Sequence, residues 1–411
     1  MSEFGSASVG AIAHVEMGQA PPSRYVFDRP VEGAGPFLQG NADFGDVSPQ
    51  PRFWCTKPSK VARAGDSLIS VRAPVGEVNL ADQVYVIGRG LAAIRFEGID
   101  ARYGAHQLLL QRRALSRVAQ GSTFDAVSSA DIKRLVIPVP SREGQVRIAE
   151  ILDAAANGIR TTREAAKKLT RIRAGLLGDL MTRGIDAEGG VRPPACEAPD
   201  LYVGTPYGPR PCAWRVDRLD HVAQRGSGHT PNKNIPSYWN GGIKWVSLAD
   251  SSKLDKIYIH NTDKEISQAG IANSSAVLHE AGTVVLSRDA GVGKSAILGG
   301  EMAVSQHFMA WRAGPDLDNV FLYYWLQFMK PAFEAIALGS TIQTIGLPYF
   351  KNLDIPIPPR HEQEMIAERL LAADQALISE MRLETFLERH YDGLSVDLLT
   401  GRVSVPAGAH S

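Results

Sequence analysis

An internal repeat dominates the sequence, and it constrains the fold because both copies must adopt one plan. Residues 121–155 align with residues 339–373 without a gap, and the same offset holds through the stretch that follows each block. Both blocks contain Gly-Ser-Thr, then Ile-Pro-x-Pro, then a glutamine, which is Gln145 in one copy and Gln363 in the other. The sequence therefore predicts two copies of one unit, each a globular region followed by a long helix.

The globular regions have the pattern of mixed α/β (α+β) structure. Residues 105–119 and 317–337 have helical periodicity at corresponding places in the two copies. Short runs rich in β-branched residues and bounded by Gly or Pro are typical of strands; these are Asp66–Arg72, Val84–Ile87, Thr283–Ser287 and Ser295–Leu298. Neighbouring aromatic residues on the second helical stretch are predicted to belong to the core; they are Tyr323, Tyr324, Trp325 and Phe328.

A long amphipathic helix is predicted after each Ile-Pro-x-Pro sequence, over residues 142–183 and 360–402. Apolar residues recur at steps of three and four along one stripe of each helix. The first stretch has nine basic and five acidic residues, whereas the second has five basic and nine acidic residues. Opposite charge and matched length favour pairing of the two helices with each other. The alternative is that each helix lies on its own globular region.

The repeat also suggests where the segments begin and end. Residues 184–213 are dense in Pro and Gly without periodicity, which is the composition of a linker. The predicted segments are a first globular domain at 1–141, a helix at 142–183, the linker at 184–213, a second globular domain at 214–359, a helix at 360–402 and a tail at 403–411.

Composition argues against several classes of protein. Cys55, Cys196 and Cys212 are too few and too scattered for a disulfide framework, which favours a reducing, cytoplasmic compartment. The sequence has neither a secretion signal nor an apolar run of about 18 residues, so no membrane association is expected. Lys plus Arg equals Asp plus Glu at 44 each, so a nucleic-acid surface would have to come from local arrangement of charge.

No catalytic or metal-binding motif is found in the sequence. Residues Gly291–Ser295 (GVGKS) resemble the end of a P-loop, but the pattern GxxxxGK[ST] requires a glycine where this chain has Arg288. Zinc-type spacings, nucleophile-elbow and dinucleotide motifs, and the Asn/Asp-Pro-Pro-aromatic motif of adenine methyltransferases are also missing. We therefore interpret GVGKS as a surface turn that places Arg288 and Lys294 near a nucleic-acid backbone, and we expect no cofactor on this chain.

Polar loops that recur in both copies are the candidate recognition sites. Small, hydroxyl and amide residues in turns present hydrogen-bond donors and acceptors to phosphates and base edges. Ordinary turn chemistry is the alternative, since Gly, Pro, Ser and Asn are common in turns. The residues predicted to contact DNA are Gln19, Arg72, Ser122, Thr123, His229, Thr230, Arg288, Lys294, Gln306, His307, Ser340 and Thr341.

The order and spacing of these elements resemble the specificity subunits of type I restriction-modification systems. Each half opens with G-[QH]-x-P and closes with the shared motifs and a long helix, and the likeness covers nearly the whole chain. The first copy departs from the second in lacking a tryptophan equivalent to Trp214. The resemblance implies two target recognition domains that each read one half of a split double-stranded DNA sequence. It also implies that the two helices pack antiparallel, as a coiled coil that spaces these domains.

The resemblance further implies partners that perform the chemistry. Two methyltransferase subunits would supply S-adenosylmethionine and methylate adenine, and restriction (motor-nuclease) subunits would use ATP. Two other classes remain as alternatives. One is a fused restriction-methyltransferase or related phage-defence protein, against which the missing catalytic motifs argue. The other is a coiled-coil adaptor, which leaves the large globular regions unexplained.

Overall fold

The chain divides into two compact units. The computed structural model describes residues 4–120, 126–205, 208–337 and 344–405. Unit 1 comprises Met1–Ala166 with Glu380–Ser411, and unit 2 comprises Lys167–Ser379. Because the divisions fall inside the two long helices, each helix contributes one part to each unit.

Unit 1 is a mixed α/β domain. In chain order its elements are β1 Gly5–Ser8, α1 Val9–Ile12, β2 Ala13–Met17, β3 Val26–Phe27, β4 Gly35–Leu38, β5 Phe53–Cys55, β6 Val61–Ala62, β7 Ser67–Ser70, β8 Val78–Leu80, β9 Tyr85–Ile87, β10 Leu91–Phe96, α2 Ala101–Leu110, α3 Arg112–Gln120, α4 Ser129–Arg134 and β11 Val136–Val139, followed by the long helix α5 Arg142–Thr182. The strand orders are β2-β10-β7-β8, β3-β5-β4-β9-β6 and β1-β11. Tyr103 and Leu108 of α2 are fully buried in one core with Ile69 and Ile94 of the first sheet.

Unit 2 repeats this plan, with the single helix α8 where unit 1 has α2 and α3. Its elements are β12 Tyr202–Thr205, β13 Gly208–Pro211, β14 Arg215–Arg218, α6 Leu219–Val222, β15 Ala223–Ser227, β16 Trp239–Val246, β17 Tyr258–Ile259, β18 Lys264–Ile266, α7 Gln268–Ala272, β19 Leu278–His279, β20 Val284–Ser287, β21 Ser295–Leu298, β22 Met302–Val304, β23 Phe308–Ala313, α8 Asn319–Ala337, α9 Leu347–Lys351 and β24 Asp354–Ile357, followed by the long helix α10 Arg360–Leu399. The strand orders are β15-β23-β20-β21-β17, β18-β16-β22-β19, β14-β24 and β12-β13. The aromatic residues Tyr323, Tyr324 and Trp325 of α8 are buried in the core, as predicted.

The repeat seen in the sequence is therefore a repeat of the fold. The order β2-β10-β7-β8 in unit 1 corresponds to β15-β23-β20-β21 in unit 2, and the antiparallel pair β1-β11 corresponds to β14-β24. Each predicted strand run contains an observed strand, namely β7, β9, β20 and β21. The mixed α/β prediction is confirmed.

The shared glutamine fixes the entry into each long helix. Buried Gln145 accepts a hydrogen bond from the backbone N–H of Asp100 (2.8 Å) and donates one to the carbonyl of Pro140 (2.8 Å). In unit 2, Gln363 likewise accepts a hydrogen bond from the backbone N–H of Asp318 (2.8 Å) and donates one to the carbonyl of Pro358 (2.9 Å). Both aspartates cap the N-terminus of the following helix, so the glutamine ties two helix starts together.

The two long helices pair antiparallel within each unit. In unit 1, Arg163 of α5 donates to Glu384 (2.7 Å) and Glu388 (2.8 Å) of α10. In unit 2, Arg173 of α5 donates to Asp374 of α10 (2.8 Å). Because residue numbers rise along α5 as they fall along α10, the helices run in opposite directions. The hydrogen bond to Glu384 also raises the pKa of the Arg163 guanidinium.

The segment predicted as a linker belongs to unit 2, where it is tied to α10. Glu362 of α10, whose side chain is 2% exposed, accepts hydrogen bonds from the backbone N–H of Ile185 (2.9 Å) and from Trp214 Nε1 (3.0 Å). Its second carboxylate oxygen accepts from Arg192 Nη2 (3.0 Å), and this pairing raises the pKa of the arginine. Composition alone could not indicate this, because side chains of the distant helix α10 hold the segment: Glu362, and Arg369 by its bond to the Gly189 carbonyl.

Unit 1 has an aromatic residue at the place of the missing tryptophan. Trp214 directly precedes β14 and is buried in the core of unit 2. Phe4 directly precedes β1, the equivalent strand, and packs partly buried against the core of unit 1. In the described part of the chain, no helix combines the length and apolar character needed to cross a membrane.

Candidate nucleic-acid interface

Three turns meet in unit 1 and form what we call the first loop cluster: residues 18–19 after β2, 71–76 between β7 and β8, and 88–90 between β9 and β10. Backbone hydrogen bonds connect them. The N–H of residue 19 donates to the carbonyl of residue 87 (2.9 Å), and the N–H of residue 71 donates to the carbonyl of residue 90 (2.9 Å). The turns are thereby held as one surface, although they are far apart in sequence.

Unit 2 has the equivalent second loop cluster, formed by residues 228–230, 288–294 and 305–307. The N–H of residue 229 donates to the carbonyl of residue 304 (3.1 Å), and that of residue 288 donates to residue 307 (2.9 Å). These bonds match those of the first cluster one for one. The two clusters therefore share a backbone frame and differ in side chains.

Close backbone approach explains the glycine that begins both recognition loops. A Cβ atom on Gly18 would lie 2.1 Å from the carbonyl oxygen of Gly88, and one on Gly228 would lie 1.6 Å from that of Val304. Neither distance is compatible with a side chain. The shared glycine is thus required by the frame rather than by a ligand.

A fourth segment reaches each cluster from the end of the Gly-Ser-Thr region. Ala126 pairs with Arg72, and Thr344 pairs with Asp289, in isolated β-bridges. The predicted contacts that precede these two residues, Ser122, Thr123, Ser340 and Thr341, lie outside the described residues and stay predictions.

The first cluster is cationic and open. Gln19 and Arg72 are exposed, and in the described part of the chain the Arg72 guanidinium has no ion-pair partner. Arg89 is also exposed and unpaired there. Arg89 was not predicted from the sequence, although the alignment of Gly88-Arg89-Gly90 with Ser305-Gln306-His307 in the duplicated plan would have indicated it.

The second cluster brings three predicted residues and Asp289 together in a hydrogen-bonded chain. Thr230 Oγ1 donates to Gln306 Oε1 (2.6 Å), Gln306 Nε2 lies 3.4 Å from His307 Nε2, and His307 Nδ1 lies 2.6 Å from Asp289 Oδ2. Arg288 lies beside them, with its Nε 3.8 Å from the other oxygen of Asp289. Asp289, which the sequence did not single out, thus offsets the positive charge of this cluster.

Two other predicted residues help to hold the loops. Lys294 donates from Nζ to the carbonyl (3.2 Å) and hydroxyl (3.0 Å) oxygens of Ser251 and is half-buried. His229 is exposed, and its carbonyl accepts a hydrogen bond from Trp245 Nε1 (3.1 Å). Contact of the Lys294 and His229 side chains with DNA stays a prediction.

The GVGKS segment does not have P-loop geometry. It connects β20 to β21 as an antiparallel hairpin, whereas a P-loop connects a strand to a helix. Gly291 and Gly293 have φ values of 97° and 84°, which a tight hairpin turn requires. Within the ranges that the structure describes, no group of three or more His, Cys, Asp or Glu residues could hold a metal ion.

Comparison with known proteins finds similarity to type I restriction specificity domains and subunits. The type I restriction modification DNA specificity domain family matches residues 9–171 and 211–388. The MjaX type I restriction enzyme specificity subunit of Methanocaldococcus jannaschii is 37% identical over 168 residues, which are 40% of this chain and 39% of that protein. The MjaIX specificity subunit of the same organism is 26% identical over 190 residues, or 46% and 44% of the two chains. The chain thus aligns with less than half the length of these two relatives.

A solved structure shares the fold over nearly the full length. The type I restriction-modification S subunit from M. genitalium superposes with a TM-score of 0.61 at 14% identity, covering 97% of this chain and 96% of that one. At this level of identity the likeness concerns the fold alone.

Proposed function

The chain belongs to the type I restriction modification DNA specificity domain family, and from this we propose that it reads a split DNA target as the specificity subunit of a type I complex. One observation carries the proposal: two loop clusters share a backbone frame but present different side chains. The first presents unpaired guanidinium groups, whereas the second presents an amide and an imidazole beside a carboxylate. Two such surfaces suit two different half-sites.

The proposed role is recognition without catalysis. Methyltransferase subunits, two per complex, supply S-adenosylmethionine and methylate adenine, and restriction subunits supply ATP-driven cleavage, all in the cytoplasm. The near-neutral charge of this chain fits that division, because partner subunits then provide part of the phosphate affinity.

Two exposed apolar side chains one turn apart on α10 support docking of a partner. Glu384 and Glu388 face Arg163 of α5, whereas Leu383 and Phe386 lie elsewhere on the helix and are 43% and 54% exposed. Large apolar side chains grouped on one helix face are typical of protein contacts. We propose that a methyltransferase subunit docks on Leu383 and Phe386.

Isolation of the tagged chain from its own cell tests the proposal. We expect a methyltransferase to co-purify, and we expect the complex to select duplexes with two separated sequence blocks from a random pool. Methylation by the chain alone would instead favour a fused enzyme, and co-purification without DNA selection would favour an adaptor.

The isolated chain is expected to bind neither ATP nor S-adenosylmethionine. The hairpin at Gly291–Ser295 offers no helix N-terminus to a phosphate, and the sequence has no methyltransferase motif. Titration calorimetry with each ligand measures this directly, with DNA as the positive control for the assembled complex. Micromolar binding of either ligand would contradict the non-catalytic role.

Arg72→Ala is expected to weaken DNA binding for all sequences and to lower the salt slope by about one, because its exposed guanidinium suits a phosphate contact. A base contact would instead relax one position of the target at a cost of about 1 to 3 kcal/mol. Affinities of the assembled complex across salt concentrations and variant sites separate these outcomes. Arg288→Ala and Lys294→Ala, whose side chains are more engaged within the protein, are expected to have smaller direct effects. Unchanged affinity in all three variants would remove these residues from the interface.

A further inference from the structure

Arg89 and Gln306 occupy equivalent positions in the two loop clusters. In unit 1, Arg89 directly precedes Gly90, whose carbonyl accepts a hydrogen bond from the backbone N–H of residue 71 after β7. In unit 2, Gln306 directly precedes His307, whose carbonyl accepts one from the backbone N–H of residue 288 after β20. Both side chains are exposed at the tips of their loops. The same frame therefore presents a guanidinium in one unit and a carboxamide in the other.

The neighbours of Gln306 fix which way its amide points. In the tautomer in which His307 Nδ1–H donates to Asp289, Nε2 is an acceptor, and it lies 3.4 Å from Nε2 of the Gln306 NH₂ group. Thr230 donates its hydroxyl hydrogen to Gln306 Oε1, which sets the other end of the amide. A flipped amide would set Oε1 against the lone pair of His307 Nε2, whereas the Thr230 hydroxyl could accept from the NH₂ group instead, so the imidazole selects the orientation.

This arrangement leaves one N–H and one oxygen lone pair of Gln306 unused. Adenine presents N7 as an acceptor and N6–H as a donor in the major groove, and glutamine matches this pair with two hydrogen bonds. An exposed arginine matches guanine instead, by donating to O6 and N7.

We propose that residues 89 and 306 are equivalent base-reading positions, with Arg89 selecting guanine in one half-site and Gln306 selecting adenine in the other. The inference rests on the proposed function and deepens it, since it names the base that each unit reads at this position. Thr230 and the Asp289–His307 pair act as positioning residues for Gln306.

Selection of duplexes from a random pool by the full chain in its isolated complex tests the assignment. The wild-type complex is expected to prefer adenine over other bases at one position of one half-site, and guanine at one position of the other half-site. Each preference should be about 5- to 150-fold in affinity. Gln306→Arg is expected to convert that adenine to guanine, and Arg89→Gln the reverse. Gln268→Arg, which adds the same charge at an exposed residue of α7, is the control and should leave both half-sites unchanged.

The half-site that a variant does not touch reports whether that variant is folded. If Gln306→Arg loses both half-sites, Thr230→Val replaces it and is expected to reduce the adenine preference alone. Two wild-type half-sites that stay unchanged in the Gln306 and Arg89 variants would overturn the base assignment but leave the recognition role intact. A wild-type complex that enriches no motif would instead refute the proposed function itself.

Discussion

Replacing Glu362 by alanine is expected to lower the free energy of unfolding of unit 2 by about 3 to 5 kcal/mol. The carboxylate is 2% exposed and satisfies Arg192, Trp214 Nε1 and the backbone N–H of Ile185. Its removal leaves a charge and two further donors without their acceptor in a largely buried site. Tryptophan fluorescence during denaturant unfolding is a suitable measurement, because unit 2 contains all the tryptophans except Trp54.

Glu364→Ala is the matched control. Glu364 lies two residues further along the same helix, is 52% exposed and pairs with Arg360 on the surface, so we expect a loss within about 0.5 kcal/mol. A double-mutant cycle between Glu362→Ala and Arg192→Ala should give a coupling energy of about 0.5 to 3 kcal/mol. Equal losses in the two single glutamate variants would show that the segment at 184–213 does not depend on the buried carboxylate.

Lengthening both long helices is expected to lengthen the unspecified spacer of the DNA target while leaving both half-sites unchanged. We place the insertions after Ala166 in α5 and after Ser379 in α10, between the ion pairs of Arg163 and those of Arg173. Four residues add about 6 Å and keep the apolar stripe nearly in phase, since a turn takes about 3.6 residues. At about 3.4 Å per base pair, the spacer should grow by about two base pairs.

A second insertion length makes this prediction sharper. Seven residues in each helix add about 10 Å, also nearly in phase, and should lengthen the spacer by about three base pairs. Insertion of two residues rotates the stripe out of phase and serves as the disruptive control. Target sequences are read by mapping methylated adenines in cells that carry each variant. Altered half-site bases with an unchanged spacer would show that the helices do not set the length of the spacer between the half-sites.

The sequence predicted those features that depend on local pattern. Periodicity and charge predicted the long helices and their pairing, and the repeat predicted a shared fold, in which the aligned Gln145 and Gln363 make equivalent hydrogen bonds. These signals work because each is confined to neighbouring residues or to a fixed offset. The cytoplasmic location and the DNA contacts stay predictions.

Features that depend on distant partners could not be predicted. Glu362 looks like one more surface acid of a charged helix, and only the folded chain brings Arg192 and Trp214 to it. Asp289 likewise gains its meaning from His307, which the sheet order places beside it. In the candidate site, the sequence therefore predicted turns, which the structure has at residues 18–19, 71–76, 288–294 and 305–307, but not which side chains in them act together.

Mapping methylated adenines in the genome of the native cell, with and without the gene for this chain, is the direct test of whether two units read a split target. Deleting the gene is expected to abolish methylation at one motif only, made of two short fixed blocks separated by a spacer of constant length. Restoring the gene should restore that motif. Unchanged methylation after deletion, or the loss of a single contiguous motif, would contradict recognition of a split target by two units.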